Sequence, residues 1–569
     1  MAALLALAPA GAQAALEPDP VSDLRPGGAG SDPYDLVAAG NTLFFGAQSS
    51  PDSGYELHRS DGTAAGTAMV TNIVPGPEGS DPSNMTALGS NVVFSADTLD
   101  SLSEPWRSDG TAGGTFRLRD INPGGDGSYP SYMTPLGNLM LFQASEPVGG
   151  NELWRTDGTQ AGTVQVLDIE PGGGDSIPEG LTRFGSFVYF SARTAAAGNE
   201  LWRSNGTPAG TTQVANINPG AASSSPRELS AVGGFLYFSA SDGVTGRELW
   251  RTDGATTTQV ADIRPGGASS NPENIAALGS TALFEANDGT NGRELWRSTG
   301  TPAGTSLLKN IAPGDFDSDP EDFTPLGSRL VFEADDNDQQ SNDEPWITDG
   351  TAAGTVKLRE IAPAPNEGSF PSDFAPLGSL VYFAANDRST GDELWRTDGT
   401  AAGTVQVVDF NPGGNDFFPD ELTPFQGTLF FSGEDARGDE LFKLATNPPD
   451  LVFAAAAQEL AKKVEVEASC DERCTVTVAG KVKAKPKKKG KGKGGKRALA
   501  KTMKFKLKPD SAEVAAGGDE LLFPAFKGKD FKKAQKVLKG GGKLTASLRA
   551  TATDQVGNVS TAKGEAKLG

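Results

Sequence analysis

The sequence predicts an all-β protein: a β-propeller of about nine four-stranded blades closed by an N-terminal strand, followed by a C-terminal β-sandwich. Three observations predict it. A short acidic-aromatic signature recurs nine times at nearly constant spacing. Each recurrence sits in a run that divides into four strand-like segments. The balance of charge then changes sign near residue 447.

The signature reads Tyr55-Glu56-Leu57-His58, then Glu104-Pro105-Trp106, Glu152-Leu153-Trp154, Glu200-Leu201-Trp202, Glu248-Leu249-Trp250, Glu294-Leu295-Trp296, Glu344-Pro345-Trp346, Glu393-Leu394-Trp395 and Glu440-Leu441-Phe442. The steps between glutamates are 48, 48, 48, 48, 46, 50, 49 and 47 residues. A period in this range marks an array of equivalent supersecondary units. All seven tryptophans occupy one position of the repeat.

Residues 371–410 show one unit. Phe374–Leu377 is a short apolar run and Gly378-Ser379 a tight turn. Leu380–Ala385 is β-branched and aromatic, Glu393–Thr397 alternates, and Val405–Phe410 is a fourth run ended by Pro412-Gly413-Gly414. Four sequential strands with short turns form a meander, and a meander of this length is a propeller blade. A lone blade leaves its faces uncovered, so blades must stack and the ring must close. After the ninth signature no fourth strand follows, whereas Pro20–Gly28 matches the end of a fourth strand at Val260–Gly267. The N-terminus is therefore expected to complete the last blade. Eight blades or an open array are the alternatives.

If the strands run A, B, C, D, the A–B and C–D turns share one face. The B–C loops and D–A connections share the other. The Asp-Gly-Thr turns at Asp61, Asp109, Asp157, Asn205, Asp253, Asp349 and Asp398 are C–D turns, with Asp or Asn capping backbone N–H groups and Gly supplying positive φ. Thr299 interrupts the series, which argues against a metal at every turn.

The string Glu-Leu-Trp-Arg-Thr-Asp-Gly-Thr-x-x-Gly-Thr, best at 152–163 and 393–404, resembles the bacterial exported ELWxxDGT-repeat family over about residues 34–446. The resemblance implies propeller-like architecture and brings no defined activity.

Residues 1–446 carry 23 basic and 60 acidic residues, a net of −37; residues 447–569 carry 27 and 13, a net of +14. Such asymmetry suggests two domains with different partners. The expected organisation is residues 1–15 as a signal peptide, 16–446 as propeller and 447–569 as a basic module with a Lys-rich loop at 483–497. The leader is apolar and ends Ala12-Gln13-Ala14, a small-residue cleavage pattern, but it lacks a basic start and reads as truncated. Its structural alternative is an Ala-rich tail. No later apolar run reaches membrane-spanning length, so no span is expected. Cys470 and Cys474 are expected to form a small disulfide in an exported chain. The ending Ala550-Thr551-Ala552-Thr553-Asp554 to Gly557-Asn558-Val559-Ser560 resembles the last hairpin of bacterial Ig-like and fibronectin-like sandwiches. That implies a spacer or surface-display module.

Candidate functional residues each have a structural alternative. Trp106, Trp154, Trp202, Trp250, Trp296, Trp346 and Trp395 are expected to pack between blades, the alternative being stacking on sugars. The nine glutamates are expected to accept hydrogen bonds from a neighbouring blade or to pair with the recurrent arginines, rather than line a cation channel. Asp315, Asp317 and Asp319 in a D–A loop, with Asp335, Asp336 and Asp338 in a B–C loop on the same face, are the candidate calcium ligands. Neither loop matches an EF-hand, and a solvated acidic loop is the structural alternative. The Lys-rich segment suits an anionic cell-wall polymer, and its lack of interleaved aromatics argues against specific nucleic-acid binding.

No catalytic constellation stands out. The lone histidine, His58, sits where tryptophan normally does, so a Ser-His-Asp or Cys-His device has no centre. The function expected is an extracellular or cell-surface binding or adhesion scaffold. It would be monomeric, with a polysaccharide or protein ligand on the B–C and D–A face. The alternatives are a polysaccharide-active hydrolase or lyase using paired carboxylates, and a purely structural envelope component.

Overall fold

The computed structural model describes residues 18–444 apart from 337–341, 364–366 and 413, together with the backbone of the strands in residues 451–568. The chain divides into two compact units, one of which spans Glu17–Ala445.

That unit is a propeller of nine four-stranded antiparallel sheets. Blades 1 to 8 cover residues 34–69, 83–117, 131–167, 179–215, 227–261, 273–309, 321–357 and 372–406. Blade 9 takes strands A, B and C from Asp420–Phe425, Thr428–Asp435 and Gly438–Leu444. Its fourth strand is Pro18–Ser22, antiparallel to Gly438–Leu444, with Pro18 opposite Leu444 and Pro20 opposite Phe442. Within every blade the sheet order is A-B-C-D. Each strand A packs against strand A of the next blade, and the series ends with Asp420–Phe425 against Tyr34–Ala39. Strand A is thus innermost, around the central channel. In blade 8 strand D is only Val405–Gln406, shorter than the expected Val405–Phe410 and as short as in blades 1, 2 and 7, and Val407 N still donates to Leu394 O beyond it.

The signature explains the blade. Leu at its second position and the B-strand run are fully buried. The tryptophans fill the space between blades. Trp154 packs with Leu88, Val93 and Leu118 of the preceding blade, and Trp296 with Val232, Tyr237 and Val260. His58 takes the same place in blade 1, stacked on Phe45. Its Nδ1 lies 2.9 Å from Glu56 O, and burial holds its pKa down at about 4, so it is neutral at pH 7.

The arginine after the aromatic residue latches blades together. Arg107, Arg155, Arg203 and Arg297 donate to the carbonyls of Gly158, Gly206, Gly254 and Gly350, each in the next blade's C–D turn. Across the seam Lys443 donates to Gly62 O at 2.9 Å, so the junction of blades 9 and 1 repeats these four. This corrects the expected Glu–Arg pairing: Arg155, Arg203 and Arg297 are taken by carbonyls, and Arg251 lies over the Phe235 ring.

The Asp-Gly-Thr-x-x-Gly-Thr string builds a self-capped turn. Asp61 Oδ1 accepts from Thr63 N and Oγ1, Thr63 Oγ1 accepts from Gly66 N, and Thr67 Oγ1 donates to Thr63 O. Gly62 has φ 88°, and a Cβ on Gly66 would lie 2.0 Å from Asp61 Oδ1. Both glycines are therefore fixed by geometry.

The tail strands form two sheets. Leu451–Ala454, Val466–Cys470 and Asp519–Leu522 make one. Ala525–Phe526, Met503–Lys508, Cys474–Lys485, Lys543–Asp554 and Val559–Leu568 run in order across the other, with Asp510–Val514 also on Cys474–Lys485. The Cys474–Lys485 strand continues opposite Lys543–Thr545, so residues 483–485 of the expected loop are strand. The side chains of Cys470 and Cys474, with their disulfide, and residues 486–497 lie outside the described residues, as do residues 1–15. Among the described residues no helix is long and apolar enough to cross a membrane.

Candidate functional site

Each blade is entered through a D–A connection, and a second repeat governs it. Ser31-Asp32-Pro33-Tyr34-Asp35 recurs as Ser80-Asp81-Pro82-Ser83-Asn84, Ser128-Tyr129-Pro130-Ser131-Tyr132 and onward to Phe417-Phe418-Pro419-Asp420-Glu421. Sequence reading overlooked it. The Ser-x-Pro spacing, present in eight copies and altered only in the last, was the available signal.

The signature glutamate holds this connection down. All nine are fully buried. Glu152 accepts from Ile169 N, Glu170 N, Ser176 N and Ser176 Oγ at 2.7–3.4 Å. Glu56, Glu104, Glu200, Glu248, Glu294 and Glu344 repeat the serine contact at 2.6–2.8 Å. The donors come from the connection leaving the same blade, which corrects the expectation of a neighbouring blade's donors. A buried carboxylate needs such donors, and the loop's backbone N–H groups need acceptors.

Two residues of every connection are forced into left-handed backbone. The residue after the serine and the second residue of strand A both have φ between 40° and 63°. At the second position stand Asp35, Asn84, Tyr132, Gly180, Glu228, Asn274, Asp322, Asp373 and Glu421. Glycine would adopt this geometry without strain, and only blade 4 uses it. Non-glycine residues held there cost about 1–3 kcal/mol each. The side chains are kept despite that strain: Asp35, Glu228, Asp373 and Glu421 accept from the backbone N–H of Met85, Asn274, Leu422 and Leu36 in strand A of the next blade.

The same face gathers the exposed apolar side chains. Among the described residues ten large hydrophobics are exposed. Leu99, Leu102, Val148 and Val244 lie in B–C loops, and Tyr129, Tyr132, Phe316, Phe370 and Phe418 lie in D–A connections or at the start of strand A. Only Val356 lies elsewhere. Tyr129 is 58 % exposed and Phe418 51 %. The opposite face, built from capped turns, has none of them.

Carboxylates crowd the mouth in blades 6 to 9. Where the other blades place a neutral residue on strand B at this pair, blade 6 sets Glu273 opposite Glu285 and blade 7 sets Glu321 opposite Glu333. Like charges placed so are destabilising unless a proton or cation intervenes. Burial, ahead of the acids Asp319, Glu273 and Glu321, pushes Glu285 up to about 8 despite Arg293 at 3.5 Å. Burial and a hydrogen bond with Glu321 drive Glu333 strongly upward, so this pair holds a proton at pH 7. Asp373 rises to about 6 through burial and the acids Asp420, Glu421 and Asp322, opposed by the bond from Leu422 N.

The proposed calcium ligands separate. Asp317 and Asp319 are held by Arg293, at 3.3 and 2.7 Å, and Asp317 Oδ1 also caps Arg293 N. Asp336 is held by Lys357 at 2.8 Å. Asp315 is exposed, Asp335 ends strand B of blade 7, and Asp338 lies outside the described residues. Among the described residues no three acidic, histidine or cysteine side chains converge to hold a metal ion. The charge of Asp317, Asp319 and Asp336 is already met by two basic side chains, so this donor set does not fit calcium as arranged.

No protein-family model matches the sequence, and no curated protein matches it. Among solved structures, a puromycin hydrolase is 15% identical with a TM-score of 0.34, over 73% of this chain and 60% of that one. A puromycin-hydrolyzing peptidase from Mycobacterium tuberculosis is 13% identical with a TM-score of 0.32, over 62% and 57%. Oligopeptidase B from Leishmania major is 11% identical with a TM-score of 0.36, over 77% and 53%. The chain spans between half and two thirds of the length of these structures, and likeness at this level carries no functional argument.

Proposed function

We propose that this chain is an exported binding scaffold whose ligand, an extracellular polysaccharide or protein, seats on the face bearing the B–C loops and D–A connections. One observation carries the reading: nine of the ten exposed large apolar side chains stand on that face. Exposed apolar patches on a polar frame mark interaction surfaces, and variable loops on a rigid ring are where specificity is built. The leader at 1–15 and the basic module at 447–569, read as an Ig-like sandwich, would deliver the ring to the envelope and tether it there. Glycan and peptide arrays probed with the full chain test this. Binding without turnover is expected, weakened about tenfold or more by Tyr129→Ala with Tyr132→Ala, as truncation of interface aromatics does. Val356→Ala, off the face, should leave it unchanged. Equal binding by both variants would refute the assignment of the face.

A second reading rests on the hydrogen-bonded pair Glu321 and Glu333. A protonated carboxyl and a carboxylate supply the acid and the base that hydrolysis of polysaccharides needs, and a bound sugar would have to part this pair to the roughly 5–9 Å that such hydrolysis uses. Release of oligosaccharides, abolished by Glu333→Gln, would establish it. Intact polysaccharide after prolonged incubation would remove it.

A further inference from the structure

In a repeat protein the recurring residues build the frame, so a local departure from the repeat points to a task. The largest departure lies across blades 7, 8 and 9. The third residue of strand A is leucine or isoleucine in five blades, methionine in two and phenylalanine in two, Phe323 and Phe374. Each stacks on the phenylalanine of its own strand B, Phe332 or Phe383, with ring centroids 5.1 Å apart. Between them opens a cleft of about 500 Å³, rimmed by Asp322, Asp373 and Asp420. The half-buried rings of Phe323 and Phe374, fixed by this stacking, line it beside Thr324 and Ser372, and its rim is anionic. Acids also hold the position of Asp322 and Asp373 in blades 1, 5 and 9, as Asp35, Glu228 and Glu421; what sets this place apart is that two such acids and Asp420 line one cleft together with the two phenylalanines.

The connections beside this cleft carry the exposed rings of Phe370 and Phe418. One of these rings already receives a guanidinium. The Arg388 Cζ lies 5.2 Å from the Phe370 centroid, while Nη2 donates to Gly368 O at 2.6 Å and Nε faces Glu367 at 3.9 Å. This is the geometry by which an aromatic face and nearby oxygens hold an arginine side chain. The charges acting on Asp373 from the neighbouring strands are Asp420, Glu421 and Asp322, and those acting on Asp322 come from Glu321. A neutral ligand would leave that repulsion in place; a cationic one relieves it.

We propose that the cleft between blades 7, 8 and 9 binds an arginine-bearing peptide segment, its cationic side chain entering over Phe323 and Phe374 against Asp322, Asp373 and Asp420. This deepens the binding-face reading and rests on it. The seating combines cation–π attraction with carboxylate pairing, so affinity falls as salt is raised. The segment's remaining length lies across Phe370 and Phe418.

The test is fluorescence anisotropy of the full chain with a labelled peptide of alternating arginine and glycine, beside a labelled neutral oligosaccharide. The site variant is Asp322→Asn with Asp373→Asn and Asp420→Asn. Asparagine already occupies the position of Asp322 and Asp373 in blades 2 and 6, so the fold tolerates it. The charge-matched control is Asp61→Asn with Asp157→Asn and Asp349→Asn on the opposite face, where Asn205 shows that asparagine serves. Peptide binding should weaken about tenfold or more in the site variant and less than about twofold in the control, as local pairing differs from net charge. Phe370→Ala should weaken it too. Equal losses in site variant and control would overturn the proposal, since only net charge would then be acting. Oligosaccharide binding that is lost in Phe370→Ala, without peptide binding, would overturn the cationic ligand and leave the face in place. Binding of either probe that is insensitive to Phe370→Ala and Tyr129→Ala would sink both readings.

Discussion

Replacing three aspartates by asparagine should stabilise the ring at alkaline pH and leave it nearly unchanged at acid pH. The residue one position before the connection's Ile or Phe faces the buried glutamate of its blade. In blades 1, 4 and 6 it is asparagine, as Asn72, Asn216 and Asn310. Oriented to satisfy both its ends, Asn72 Nδ2 lies 3.2 Å from Glu56 Oε1 and 3.0 Å from Val74 O; Asn310 Nδ2 lies 3.0 Å from Glu294 Oε1 and 2.8 Å from Ala312 O. In blades 2, 3 and 8 the same position holds Asp120, Asp168 and Asp409, and the Oδ1 of each is buried without a hydrogen bond. A carboxylate oxygen thus stands where the repeat supplies two N–H donors. In blade 8 the serine donor is missing as well, replaced by Phe417, and Glu393 Oε1 is also unpaired.

A proton relieves this arrangement. Burial pushes Glu152 and Glu393 up to about 7 and raises Glu104, against the donors that oppose it; the neighbouring aspartates Asp120 and Asp409 add to the rise in Glu104 and Glu393. These are raised acids, so their stabilising contribution is complete below the ordinary glutamate range and is lost as pH rises through about 7. Asp→Asn supplies the missing donor at every pH. A hydrogen bond to a charged group contributes about 1.5–3 kcal/mol, of which about 1–2 is expected per site at pH 8 after the strain of partial exposure. Three sites sum to about 3–6 kcal/mol. An unfolding entropy of about 2 cal/mol/K per residue over the propeller makes that a rise in Tm of roughly 3–7 °C. At pH 5 the wild type already carries the proton, and the difference should shrink to about 1 °C. Scanning calorimetry at the two pH values reads this directly. An equal shift at both, or none at pH 8, would refute the shared proton. A matching rise on adding calcium or sodium to the wild type at pH 8 would give the position to a cation instead.

Other consequences follow from the same frame. Thermal stability of the wild type should fall between pH 5 and pH 8, because Glu152, Glu294 and Glu393 rise to about 7 and Glu285 to about 8 through burial; a flat profile would contradict it. Trp154→Ala should cost about 3–5 kcal/mol, read by denaturant unfolding, since it empties a buried interblade space. Melting in millimolar calcium and in chelator should coincide, because Arg293 and Lys357 occupy the carboxylates a calcium ion would need; a calcium-dependent rise would restore that site.

Much of the ring was legible in sequence because one residue type at one spacing has one packing role. Nine copies of the glutamate-aromatic signature, five of them Glu-Leu-Trp, pointed to the nine blades, and the run at Leu380–Ala385 appears as Leu380–Asn386 with its turn where Gly378-Ser379 stands. The role of the arginines was not legible. Alternation places Arg155 on the face away from Glu152, but only the coordinates show that Gly206 O lies within its reach. The connection was harder still. Its Ser-x-Pro repeat lies outside any strand run, so period-two reading passes over it, and left-handed backbone at Tyr129 or Phe418 has no propensity signal because those residue types disfavour it. Of the candidate site, the face was legible from topology and the arc within it was not. Asp322, Asp373 and Asp420 are scattered across 99 residues of a chain already rich in acids, and ring curvature brings them to one cleft.

The seam tests whether this face exists as a unit. Five junctions, those running from blade 2 to blade 5 and from blade 6 to blade 8, carry an interblade aromatic, a basic side chain on a glycine carbonyl and a first-strand contact around the channel. At the seam they are Phe442 in place of tryptophan, Lys443 on Gly62 O, and Glu421 Oε2 accepting from Leu36 N at 3.1 Å. Pro18–Ser22 covers the outer edge of blade 9, and Val21 is buried in the cluster shared by blades 9 and 1. Opening the seam therefore frees one strand ladder and one apolar cluster together. It also frees the connection that places Asp32 and Asp35. Val21→Asp puts a charge into that cluster, and a buried unpaired charge costs several kcal/mol. Limited proteolysis of this variant should cut first between residues 22 and 34, where the connection loses its anchor on Glu440, before blades 2 to 8 become accessible. Cleavage beginning in blade 4 or 5 would mean that the strand adds no more than any other edge, and that the ring is held by its interblade contacts alone.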